Sequence, residues 1–196
     1  MSKETVIPKL LSVFQRYGYE GATLAKLSEA TGLDKASLYH HFPRGKEEMA
    51  MAVLDYLDRG LEEQFLAPLQ GEGGTIERLR AMTQKVDQFY QQGQKDCLLA
   101  LLSVGEAHGL FQPQIQRSLT TWIERLAQMA IETGIEPNLA QQRAEDAILQ
   151  IQGALVLSRG LNTTAPFKRV LQQLPELLLQ PAIEPVTIAV ASQVRT

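Results

Sequence analysis

Apolar side chains along this chain recur at spacings of three and four, the repeat that lines one face of an α-helix. Ile7, Leu10, Leu11, Phe14 and Tyr17 mark an opening helix that stops at Gly18. Thr23 can cap a second, short helix whose stripe is Leu24 and Leu27; Gly32 ends it, because the chain must turn there and glycine takes positive φ without steric cost. Asp34 then caps a third helix. Leu33, Leu38 and Phe42 point back to the core, and Ala36, Ser37, Tyr39 and His40 supply an outward face of small or hydrogen-bonding side chains. Pro43 and Gly45 forbid its continuation. A long helix follows from Lys46 to about Phe65, with Met49, Val53, Leu57 and Leu61 inside and Gly60 as a mild weak point. Nothing else breaks it, so it reads as a strut.

The run GEGG (71–74) is a flexible connection. Ile76, Leu79, Met82, Val86 and Phe89 define a helix from Thr75 to about Gln92. KDCLLALLSVGEAHG, apolar almost all round, predicts a buried central helix. Gly109 and Pro113 punctuate before an amphipathic helix over Gln114 to Glu132, and GIEPN is a turn with Asn138 as a candidate cap. Helices over Leu139 to Leu161 and Phe167 to Gln180 complete the pattern, and Pro181 and Pro185 end it ahead of a β-prone tail. With no strand pattern elsewhere and no internal repeat, the fold class is all-α. The expected organisation is a three-helix head over residues 1–46, a strut over 46–66, a helical body over 47–180 and a tail over 181–196.

Composition narrows the class. At 196 residues the chain can bury a good core, and 44% apolar with 21% charged residues describes a folded protein. No apolar run reaches the roughly 18–20 residues of a membrane span. The N-terminus lacks the features of a secretory signal, and the single cysteine, Cys97, cannot form an internal disulfide, so a cytoplasmic location is expected. Three histidines and one cysteine, without HExxH, CxxC or a glycine-rich phosphate loop, argue against an enzyme and against a metal or other cofactor. The net charge of −3 hides an asymmetry: residues 1–46 hold seven basic and four acidic side chains, a net of +3, which leaves −6 on the remainder. A basic head on an acidic body is what is expected when only the head meets phosphate.

Two short helices crossing at a glycine turn, the second carrying small and hydrogen-bonding side chains, form a helix-turn-helix. The helix ending at Gly18, Thr23, the LSEATGL turn and SLYHHFPRGKEEM leading into a long helix together resemble the DNA-binding head of the TetR/AcrR family of bacterial transcriptional regulators. Ser28, where the family commonly has alanine, and Gly45, one residue more before Lys46, depart from its pattern. KDCLLALLSVGE and GALVLSRGLNTTAPFKRVLQQLPELL are similar to the branch of LmrA-type drug-responsive repressors.

Entry of the third helix into a major groove requires short side chains at its leading end, which Ala36 and Ser37 supply. Lys35 offers positive charge, and Thr23 and Lys46 stand at helix starts that favour phosphate. The resemblance implies a phosphate contact for Tyr39 and a backbone or base contact for His40. One head reads few base pairs, so a homodimer on double-stranded operator DNA is expected. Gly153, Ala154, Leu157 and Ser158 with Val170, Leu171, Leu174 and Leu178 are the interface candidates. An effector pocket for a small, largely apolar molecule is expected around Met82, Phe89, Leu101, Phe111, Trp122, Ile123 and Met129, with Glu106, His108 and Gln152 as polar contacts. The resemblance implies repression with release by the effector; an activator, or a ligand-independent DNA-binding protein of the same fold, is the alternative.

Overall fold

The computed structural model describes residues 2–105 and 107–180; Glu106 and the tail after residue 180 lie outside the described residues. Nine α-helices and no strand occur among them: α1 (Lys3–Gly21), α2 (Leu24–Thr31), α3 (Lys35–His41), α4 (Lys46–Gly60), α5 (Thr75–Phe89), α6 (Leu98–Leu102), α7 (His108–Ile131), α8 (Pro137–Gly160) and α9 (Ala165–Leu179).

The first three helices follow their local chemistry. Gly18 leaves the helical conformation at φ 65°, ψ −176°, and the chain makes one more turn to Gly21. Tyr17 does not join the core. It is 38% exposed and its ring carries the Lys26 ammonium at 3.9 Å. Thr23 Oγ1 accepts from the Lys26 N–H at 3.4 Å, and Gly32 closes α2 at φ 73°. The buried Thr31 hydroxyl donates to the Leu27 carbonyl at 2.7 Å and accepts from the Leu33 N–H at 3.3 Å, so the turn between α2 and α3 contains a satisfied polar group rather than a penalty.

The hydrophobic interior falls into two clusters. One joins Val6, Leu10, Phe14, Leu27, Leu38 and Phe42 to Met49, Val53 and Leu54 of α4, and it continues into Leu98 and Leu102 of α6 and Phe111 and Ile115 of α7. Packing therefore has no break at residue 46. The other fills the body, where α5, α7, α8 and α9 meet around Met82, Trp122, Leu126, Ile151, Phe167 and Leu174. Ala140, Ala144, Ala147 and Ala154 form the inner face of α8, and their small size lets its axis lie close to its neighbours.

Four expectations are corrected. The strut is not a uniform helix: after Gly60 it widens into a π-helical turn, Leu61–Leu66, and tightens into a 3₁₀ turn, Ala67–Gln70. Pro68 gives a reason, since it has no N–H to bond and its ring would clash with the carbonyl four residues back if the α-helix continued. The expected central helix over 95–109 is only the five residues of α6, and it lies against α1, not at the middle of the body. Val104 is 66% exposed and Gly105 takes φ 88°, so the apolar run ends in a surface turn. Next, α7 starts at His108 and tolerates Pro113 in its second turn. Finally, Glu136 and not Asn138 caps α8, its carboxylate accepting from the Leu139 N–H at 3.1 Å with Pro137 at the first helical position.

Candidate nucleic-acid interface and helix-enclosed cavity

The candidate DNA-facing surface is built by the two ends of α3. At its start Asp34 Oδ1 accepts the Ser37 N–H at 2.7 Å, a bond that holds the Asp34 carboxyl below its usual range. Lys35 and Ala36 are exposed beside it, and the Ser37 side chain is half-buried. At its far end Tyr39 is 45% exposed and His40 is exposed, while Leu38 and Phe42 are fully buried and fix the helix to the head. The His40 ring leans edge-on against His41, whose own ring tilts towards Phe42.

Gly45 explains how the turn presents Tyr39. Its φ of 68° with ψ −139° suits glycine, and a Cβ there would stand 3.2 Å from Tyr39 Cε1. The tyrosine ring therefore lies against the bare backbone of Gly45. The residue that departs from the family pattern is thus the one that makes room for Tyr39. Glu48 accepts the Arg44 N–H at 3.0 Å, which lowers its carboxyl pKa and secures the start of α4.

Lys46 is less free than its position suggests. Its Nζ donates to the Tyr19 carbonyl at 2.9 Å and sits 4.3 Å over the Tyr19 ring. The Tyr19 ring in turn packs edge-on against Phe111 of α7, with centroids 5.0 Å apart. Lys46 thereby ties the start of α4 to the end of α1 and, through Tyr19, to the body.

A cavity of about 40 Å³ lies between α1, the Gly60 to Phe65 stretch, the end of α5, α6 and α7. Its aromatic wall is a set of ring contacts, Phe65 with Phe89 at 5.0 Å and Phe65 with Trp122 at 5.9 Å. Polar groups also border it: Gln15, Asp58, Tyr90, Cys97 and Ser118. Ser118 donates to the Asp58 carboxylate, whereas Trp122, only 1% exposed, has an indole N–H with no hydrogen-bond partner. Burial pushes the Tyr90 phenol well above its ordinary pKa, so it is a neutral hydroxyl.

Of the residues expected around an effector, Phe89 and Trp122 line this cavity. Met82, Met129 and Ile123 instead pack within the body core. Leu101 and Phe111 belong to the cluster of the head, because α6 and the start of α7 are laid against α1. His108 and Gln152 are half-buried and do not line the cavity, although the Gln152 side chain meets the phenol of Tyr90, which does. Sequence reasoning missed Gln15, Leu57, Asp58 and Leu61, which come from elements assigned to the head or the strut.

The expected interface residues divide in the same way. Ala154, Ser158, Leu171, Leu174 and Leu178 are buried within the subunit, out of reach of a partner. Gly153 and Leu157 are exposed and Val170 is half-buried. Apolar side chains left uncovered on this part of the chain are Leu149, Val156 and Leu157 on α8, Leu161 just past its end and Leu177 on α9, and the first three of these with Gly153 recur at helical spacing on one face.

Residues 10–53 match the model of bacterial regulatory proteins of the tetR family, and residues 75–173 match that of the LmrA/YxaF-like transcriptional regulator C-terminal domain. The chain is 24% identical over 182 residues to the HTH-type transcriptional regulator YxaF of Bacillus subtilis, covering 90% of this chain and 95% of that protein. It is 30% identical over 88 residues to the HTH-type transcriptional repressor AcnR of Corynebacterium glutamicum, covering 45% of this chain and 44% of the repressor. A TetR transcriptional regulator from Legionella pneumophila has the same fold, with a TM-score of 0.78 at 19% identity over 90% of this chain and 96% of that one. The helix-turn-helix and the body matched in sequence order leave one assignment: the chain belongs to the TetR family, with a C-terminal domain of the LmrA/YxaF-like type, and is a DNA-binding transcriptional regulator, not an enzyme.

Proposed function

We propose that this regulator is a homodimeric repressor whose release from its operator is triggered by a small, largely apolar molecule entering the cavity between α1, α4 and α7. The observation that supports the reading is the aromatic cavity itself, lined by Phe65, Phe89 and Trp122 with a few polar groups from α1, α4 and α7. Mostly apolar walls with a few polar groups suit a small, largely apolar molecule. At about 40 Å³ the cavity is smaller than most ligand sites, so its walls must part on binding. A ligand that binds the parted form better than the closed one draws the protein towards it, and DNA affinity falls by linkage if that form spaces the heads wrongly. The repressor name of the head's relative AcnR favours repression over activation.

In the head, Thr23, Lys35, Ala36, Ser37, Tyr39, His40 and Lys46 are assigned to DNA. Tyr39 and Lys46 take phosphate, and the short side chains at the start of α3 admit it to the major groove. The surface around Leu149, Gly153, Val156, Leu157 and Leu177 is assigned to a second copy of the chain, completing an intersubunit four-helix bundle of α8 and α9. Fluorescence anisotropy with duplexes from the DNA flanking the protein's own gene tests the reading. Wild type should bind one fragment against competitor DNA, and Tyr39→Ala should bind it at least about tenfold more weakly, as loss of a charge-adjacent contact of about 1.4 kcal/mol or more requires. A Tyr39→Ala variant that binds as wild type would contradict the assignment.

A further inference from the structure

The connection between α5 and α6 touches three parts of the molecule within eight residues. Towards α8 and α9 it is pressed close: a Cβ on Gly93 would lie 2.9 Å from Phe167 Cβ, and the Tyr90 ring packs edge-on against the Phe167 ring. Towards the cavity it presents Tyr90 and Cys97. Towards the head it reaches α1 through Asp96, whose carbonyl accepts from Gln15 Nε2 at 3.0 Å. The same residue holds α8, because its carboxylate pairs with the Arg159 guanidinium.

We infer that Asp96 is the positioning residue that couples the α8–α9 pair to α1, so that displacement of the cavity wall at Cys97 is transmitted to the head. The chemistry is economical. One residue uses its backbone oxygen for α1 and its side chain for α8, so both helices are held through a single Cα. Gln15 is itself buried, at 8% exposure, and its side chain also borders the cavity, so the α1 end of the link is rigid and within reach of a bound molecule. The Arg159 end is more open, with 57% of that side chain exposed, and such a pair contributes little to stability. Its role is to fix direction. Residues 90–97 thus report the state of the cavity to both ends of the molecule. Arg159 matters to α1 although it touches nothing there. The inference rests on the proposed reading that the cavity admits the effector and that α8 and α9 join two copies.

A double-mutant cycle on the full-length chain tests it, with Gln15→Met and Arg159→Met as shape-preserving changes that remove the polar head of each side chain. Hydrogen exchange is read on α1 amides 10–17, alongside anisotropy on the DNA fragment bound by wild type. Arg159→Met should speed α1 exchange several-fold, nearly as much as Gln15→Met does, and the double variant should add little to either. Asp96→Asn, which keeps the carbonyl and loses the ion pair, should match Arg159→Met. Unchanged α1 exchange in Arg159→Met, or effects of the two changes that simply add, would overturn the coupling. The DNA arm speaks to the function instead: a wild type that retains no fragment counts against the proposed function, while the exchange cycle still decides the role of Asp96.

Discussion

At Gly45 a single missing side chain sets the geometry of the turn after α3. The residue sits at φ 68°, ψ −139°, with the Tyr39 ring 3.2 Å from where a Cβ would stand. Gly45→Ala should cost about 1–3 kcal/mol from backbone strain alone. It should also push Tyr39 off its platform, so DNA affinity falls further than stability, measured by urea denaturation beside anisotropy. Asp34 gives a pH-dependent counterpart. Its carboxyl pKa is lowered first by the Ser37 N–H, so the cap is complete at neutral pH and its contribution is lost as the pH falls through that depressed pKa. Asp34→Asn caps without titrating. Wild type should therefore be the more helical of the two near neutrality, and the gap in far-UV circular dichroism should close on acidification. A gap that widens at low pH would contradict the cap.

Among the elements, the widened turn at Leu61–Leu66 and the wall at Trp122 belong together, since Leu61, Phe65 and Trp122 all border the cavity. A π-turn is a looser winding and often marks a functional site. Trp122→Phe removes an indole N–H that has no partner, so the loss of ring volume is offset and stability should change by less than about 1 kcal/mol. Leu126→Ala, one turn on and fully buried, should cost about 2–5 kcal/mol, both read by thermal unfolding. The sequence made most helices legible because an amphipathic stripe has one reading: Ile7 to Phe14, Leu79 to Val86 and Trp122 to Met129 each lie on the face their spacing predicts. It failed where one element serves two neighbours. The run around Leu98 to Leu102 is apolar on several sides because it meets both the head and the cavity, which periodicity reads as central burial. On α8 the alanines at 140, 144, 147 and 154 face inward while Leu149, Val156 and Leu157 face out, and a helix apolar on two faces does not disclose which one is the core. Gln15 and Asp58 at the cavity lay on helices read as head and strut, and only the folded chain brings them to Trp122.

Across the whole molecule, a basic head and an acidic body are joined by continuous packing and not by a linker. Met49, Val53 and Leu54 belong to the same cluster as Leu98 and Phe111, and Tyr19 bridges Lys46 to α7. These contacts give the body a packed route to the head. In the proposed dimer, the uncovered stripe on α8 meets the second copy. Leu157→Glu, at a side chain 54% exposed, should leave the folded subunit intact and turn a dimer into a monomer by light scattering, whereas Ala154→Glu at 4% exposure should disrupt the subunit itself. Two heads on a two-fold axis then fix what DNA they select. Selection of bound duplexes from a random library by the full-length protein tests this most directly. The account predicts an inverted repeat with half-sites about 34–36 Å apart, or a multiple of that, lost in Leu157→Glu and Tyr39→Ala. Enrichment of no sequence, or of one unpaired half-site bound equally well by the Leu157→Glu monomer, would contradict it.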